Sequence, residues 1–211
     1  MSKTKNTRDV TNQNYLKDWD DFNNKRKKGD RFPILLPINI DIVDGKFVRE
    51  RMTAPQVKKL YADFKGDLPD YMFKHPDHFA NPKKVFTEYV NYFSKQDGVE
   101  GPRQRTSPTP LDIECNRPTW LLFNLTRSNW KFSKGAQYST ENDSDDQTRN
   151  FEKICTMKRG KCLLLSNRHR SSPKGLKFNL HVTISQREGR TTYKTPIIID
   201  PGLGNPGGNP P

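Results

Sequence analysis

Apolar and polar positions alternate most regularly at the C-terminal end. Leu176, Phe178, Leu180, Val182 and Ile184 fall on one side of an extended chain, with Lys177, Asn179, His181, Thr183 and Ser185 on the other. A period of two marks a strand with one buried and one solvated face. Glu188-Gly189 turns this strand back into Thr191 to Ile199. Upstream, Ile38, Ile40 and Ile42 alternate with Asn39 and Asp41; Asp44-Gly45 follows, and Phe47-Val48 resume. That pattern predicts a hairpin through residues that accept positive φ. Trp120 to Leu125 is a short apolar run with Trp130 to Phe132 as its expected pairing partner, and Gln137 to Arg149 reads as a polar, acid-rich loop. Phe151 to Met157 and Lys161 to Ser166 flank Lys158-Arg159-Gly160 as a further hairpin.

Two helices are written between the first hairpin and these strands. Thr53-Ala54-Pro55-Gln56 has the form of a capping box with proline in the first turn, and Val57, Leu60, Tyr61 and Phe64 then recur at helical spacing. Gly66 and Pro69 should end that helix, and a second should start at Asn81-Pro82 and bury Val85, Phe86, Tyr89 and Phe93.

The expected organisation is a polar, flexible arm over 1–31, a small hairpin-plus-helices unit over 32–96, and a Pro/Gly linker over 97–118. A β-sandwich over 119–201 and a Gly/Pro tail over 202–211 follow. The fold class is therefore mixed: a small α+β N-terminal unit, then an all-β antiparallel sandwich or partly open barrel of about six strands. In the arm, Tyr15, Trp19 and Phe22 can share one helical face, and Lys25-Arg26-Lys27-Lys28 forms a short basic knot.

Composition changes this picture in one respect. Hydrophobic residues make up 31% of the chain and charged residues 29%, so much of it is surface or loop. The net charge is +13, and residues 119–211 carry fifteen Lys and Arg against seven Asp and Glu. From Lys153 to Lys177 there is no Asp or Glu at all. Crowded positive charges repel unless an anion lies against them, which points to a polyanionic partner. Lys158, Arg159, Lys161, Arg168, His169, Arg170, Lys174 and Lys177 are the candidate binding residues. Their arginines suit bidentate phosphate contacts, and Gly175 permits close backbone approach. An antiparallel path puts the 158–161 turn and the 167–175 loop at opposite ends of one strand, so only a groove along a strand face, through Lys177 and His181, would join them.

Other chemistry is thinly represented. No Gly-x-Ser-x-Gly elbow, phosphate-binding Gly-rich loop or dinucleotide fingerprint is present, and catalysis stands behind binding as an expectation. His75-Pro76-Asp77-His78 begins but does not complete a metal site, so no metal and no cofactor is implied. Cys115, Cys155 and Cys162 lack metal-ligand spacing and fit free thiols in a reducing, cytoplasmic compartment; no signal peptide or membrane span is read. Trp120, Trp130 and Tyr193 are expected to be packed, leaving little aromatic surface for base stacking.

The functional expectation is a non-enzymatic basic β-domain protein that contacts a polyanion, nucleic acid through its backbone above all. The alternatives are a self-assembling, shell-like subunit that uses its terminal arms as a homo-oligomer, and an enzyme with an unrecognised site.

Overall fold

The computed structural model describes residues 33–64, 68–74, 81–97, 113–114, 118–140, 151–168, 176–200 and 202–204. The predicted arm, the His75–His78 quartet and Cys115 lie outside them. Within the unit that runs from Phe32 to Pro211, the architecture is mixed α+β and dominated by strands in two open sheets.

The first sheet begins with the expected hairpin, β1 (Ile34–Val43) and β2 (Lys46–Arg51). Asp44 and Gly45 take φ of +50° and +74°, and Val43 pairs with Lys46 across this two-residue turn. Next, α1 (Ala54–Phe64) starts on the predicted capping box: the Thr53 N–H donates to Gln56 Oε1 at 2.8 Å, and the Gln56 N–H to Thr53 Oγ1 at 3.4 Å. A short α2 (Asp70–Lys74) was not evident in the sequence. Asn81 caps α3 (Pro82–Asp97), its Oδ1 accepting from the Lys84 N–H at 3.2 Å. All four residues predicted for the buried face of α3, Val85, Phe86, Tyr89 and Phe93, are buried. The Tyr89 hydroxyl donates to Met52 O at 2.6 Å and accepts from the Arg51 guanidinium at 3.1 Å, which ties α3 to the end of β2.

Three more strands complete this sheet: β4 (Thr119–Leu125), β7 (Phe151–Met157) and β8 (Cys162–Asn167), in the order β2-β1-β4-β8-β7. β1 lies parallel to β4, with Ile38 beside Phe123. The hairpin assigned to residues 32–96 and the strands assigned to 119–201 thus share one sheet. Its central strands are covered on both sides, by helices on one and by the second sheet on the other. Ile34 through Ile40, Thr119 through Phe123 and Cys162 through Leu165 are buried without alternation. The apparent wet side of β1 is therefore interior, and Asn39 is satisfied there by Asn124, whose Nδ2 donates to Asn39 Oδ1 at 2.8 Å.

The second sheet is built on β9 (Leu176–Glu188), paired through a two-residue turn at Gly189 with β10 (Thr191–Ile199). Two expectations are corrected here. Trp130–Phe132, now β5, pairs with β9 rather than β4, because β1 and β8 occupy both edges of β4. The start of the acid-rich loop, Tyr138–Thr140, is a strand, β6, also on β9. Two short strands come from regions read as linker and tail: β3 (Ile113–Glu114) and β11 (Gly202–Gly204) pair with each other, and β11 also pairs with β9. Glycine provides the peptide groups that a ladder needs even where no side chain can pack.

Aromatic rings join the sheets. Phe178 of β9 lies 6.0 Å from Phe123 and 5.0 Å from Phe151, centroid to centroid, and Trp130 lies 6.0 Å from Phe47. Trp120 and Trp130 are packed as expected; Tyr193 is not, being 52% exposed. The register sets Cys155 and Cys162 opposite Leu164 and Met157 rather than each other. Among the described residues no helix is long and apolar enough to cross a membrane.

Candidate polyanion interface

The eight candidate residues divide by location. His169, Arg170 and Lys174 lie outside the described residues, and Lys177 is placed by its backbone on β9, across from Gly202. The other four are described, and three of them are engaged by the protein itself. Lys158 stands 2.9 Å from the Asp63 carboxylate and 5.6 Å from the Phe64 ring centroid, at the end of α1. Arg168 pairs with Glu152 at 2.6 Å. Lys161 donates to the carbonyls of Arg127 and Trp130 and so pins the 158–161 turn to the loop before β5. Burial lowers its pKa; Cys162 opposes that shift and the Lys131 charge adds to it. Arg159 is exposed.

The turn has an unusual backbone. Lys158 and Arg159 take φ of +50° and +54°, followed by Gly160 at +88°. Left-handed conformation costs a residue with a Cβ about 1–2 kcal/mol. The Lys158–Asp63 pair and the two Lys161 bonds hold the loop in that form. Arg159→Gly should therefore raise stability in urea unfolding by about 0.5–1 kcal/mol, since relief of strain exceeds the added chain entropy of glycine. Unchanged or lower stability would show that the Arg159 side chain itself contributes to the fold.

The two chain-adjacent clusters are separated by the six residues of β8, roughly 20 Å of strand. Next to the 158–161 turn lies the solvent side of the second sheet. Phe178, Leu180 and Val182 point into the core, so Asn179, His181, Thr183, Ser185 and Arg187 alternate outward. Two cross-strand bonds define this side: Ser139 with His181 at 2.8 Å, and Ser133 with Thr183 at 2.8 Å. By register, β5 adds Lys131 beside Thr183, and β10 adds Lys194 beside Ser185 and Thr192 beside Arg187. A Cβ on Gly160 would lie 3.7 Å from Lys131 Cβ, so the 158–161 turn abuts this face at β5. The face thus carries His181, Lys131, Lys194 and Arg187 among hydroxyl and amide groups, with Pro196 beside Thr183 and the exposed Ile198 beside His181. Glu188, the one carboxylate in β5, β6, β9 and β10, alternates to the opposite side.

Lys131, Arg187 and Lys194 were missed in the sequence because each is isolated in its own strand; only the register gathers them. Among the described positions of this face there is no Phe, Trp or Tyr, and no carboxylate stands behind His181 to complete a Ser-His-acid arrangement with Ser139. A hollow of about 270 Å³ between α1 and α3, floored by Tyr61, Phe86 and Val90, has Lys58 at its rim, and no group of three or more metal-ligating side chains occurs among the described residues. Searches of family models, curated proteins and solved structures give no match to this chain.

Proposed function

We propose that the two sheets form the layers of a β-sandwich whose outer face binds nucleic acid through its sugar-phosphate backbone, without catalysis. The observation that carries this reading is the face shared by Lys131, Arg187, Lys194 and His181, which is carboxylate-free in its four strands, exposed at its lysines, and polar apart from Pro196 and Ile198 at the β10 edge. Ser, Thr and Asn side chains interleave with the cations and supply neutral phosphate donors. The absence of exposed rings on the described face favours contact with phosphates over base stacking.

The test is affinity for a mixed-sequence single-stranded oligonucleotide, measured against salt. The parent should lose affinity steeply as salt rises. The Lys131→Ala/Arg187→Ala/Lys194→Ala variant should flatten the log–log slope by about 2, at about 0.7 per phosphate contact. Arg168→Ala/Arg170→Ala/Lys174→Ala measures the loop separately: a change confined to that variant would move the site off the sheet face. A parent whose binding is absent or indifferent to salt ends the nucleic-acid reading.

A further inference from the structure

The only large apolar side chains left exposed among the described residues, Tyr193 at 52% and Ile198 at 61%, both belong to β10. Its first six residues, Thr191 to Pro196, are exposed on both sides, and no described strand pairs with its outer edge. The hydrogen bonds of β9 fix what that edge presents. The Ser185 N–H donates to Asn129 O, the His181 N–H donates to Gln137 O, and His181 O accepts from the Ser133 N–H. Odd-numbered residues of β9 therefore direct their peptide groups toward β5 and β6. Even-numbered ones bond β10, through Thr195, Ile197 and Ile199. Thr192, Lys194, Pro196 and Ile198 are left with their peptide groups turned outward.

Pro196 sits where its missing N–H costs the sheet nothing, since it pairs with Thr183 in a position that is not hydrogen-bonded. Proline and lysine also blunt edges against indiscriminate pairing. Here they act selectively. Antiparallel pairing of two copies about a two-fold axis at Lys194 would set lysine against lysine, and an axis at Pro196 would set two donorless prolines together. An axis at Thr195 avoids both. Thr192 then exchanges two bonds with Ile198 of the second copy, and Lys194 donates to the proline carbonyl opposite, giving about six backbone bonds after symmetry. The same axis sets Tyr193 across from Ile197 and Thr195 across from Thr195, which are aromatic–β-branched and Thr–Thr pairs of the stabilising kind.

We propose that β10 is a self-association edge at which two copies of this chain pair antiparallel about a two-fold axis at Thr195, joining their second sheets. Such pairing is isologous and closes at two copies, because it consumes the edge that makes it. It is independent of whether the outer face binds nucleic acid.

The experiment uses the full chain in sedimentation equilibrium together with cysteine cross-linking. The average mass should rise from monomer toward dimer with concentration. At the axis the Cα atoms of facing residues lie about 4.5 Å apart, within reach of a disulfide. Thr195→Cys should therefore cross-link under mild oxidation. Thr192→Cys, displaced from its own copy by about 20 Å, and the parent with its native cysteines should not. Thr195→Lys, at an exposed position, should weaken association about fivefold by opposing like charges. A monomer at every concentration overturns the proposal, as does equal cross-linking at 192 and 195.

Discussion

Phe178→Ala should lower the free energy of unfolding by about 3–5 kcal/mol, the cost of emptying a fully buried phenylalanine site. Phe178 is 0% exposed and touches the rings of both Phe123 and Phe151, so the deletion opens a void where β9 meets β4 and β7. Neither sheet can close over it. Each is held in register by its own ladder, and collapse would require one sheet to move as a body toward the other. Domains of this kind have about 5–15 kcal/mol in total, so the variant should be near its limit at 37 °C. Phe178→Leu keeps most of the volume and should cost less than about 1.5 kcal/mol. Phe47→Ala, at a half-buried site facing Trp130, should fall between them. Urea unfolding followed by tryptophan fluorescence reads all three through Trp120 and Trp130. If Phe47→Ala costs as much as Phe178→Ala, the centre of the core lies nearer the β2–β5 side than the ring contacts indicate.

Local chemistry was legible because it needs only neighbours in the chain. The Asp44-Gly45 turn, the Thr53–Gln56 capping box, the Asn81 cap and the alternation of β9 each depend on a few consecutive residues, and each forms where the pattern places it. Pairing between distant segments left no such trace. Nothing in Ile34–Ile40 states that β4, about eighty residues later, lies parallel to it, and the alternation of Ile38 and Ile40 with Asn39 gives no sign that Ile34 to Ile40 are buried without a break. Burial on both sides was better signalled by the unbroken runs Leu121-Leu122-Phe123 and Leu163-Leu164-Leu165. The binding residues follow the same division. A cluster such as Lys158-Arg159-Gly160-Lys161 is conspicuous in sequence, yet two of its lysines hold the turn in place. Lys131 and Lys194, which share the sheet face, are more than sixty residues apart in the chain.

The buried polar row beneath the helices gives the second large effect and tests the account of the central strands. Asn39, Asn124 and Cys162 stand side by side on β1, β4 and β8. Asn124 Nδ2 donates to Asn39 Oδ1 at 2.8 Å, and the Cys162 thiol donates to Asn124 Oδ1 at 3.1 Å. Asn124 also heads an Asn-Leu-Thr sequon, and these bonds leave its amide no freedom to carry a glycan in the folded protein. Asn124→Leu should cost about 1–3 kcal/mol, because it strips a partner from Asn39, which is only 6% exposed. Cys162 loses only a weak bond donated by its thiol and adds little. Replacing both asparagines by leucine removes the stranded acceptor and places apolar groups where the surroundings are already apolar. The double variant should therefore recover most of the loss, with the two changes coupled rather than additive. A double-mutant cycle in urea measures that coupling directly. Additive losses would mean that each amide is satisfied independently, and the row would then be three separate contacts instead of one connected set spanning the centre of the sheet.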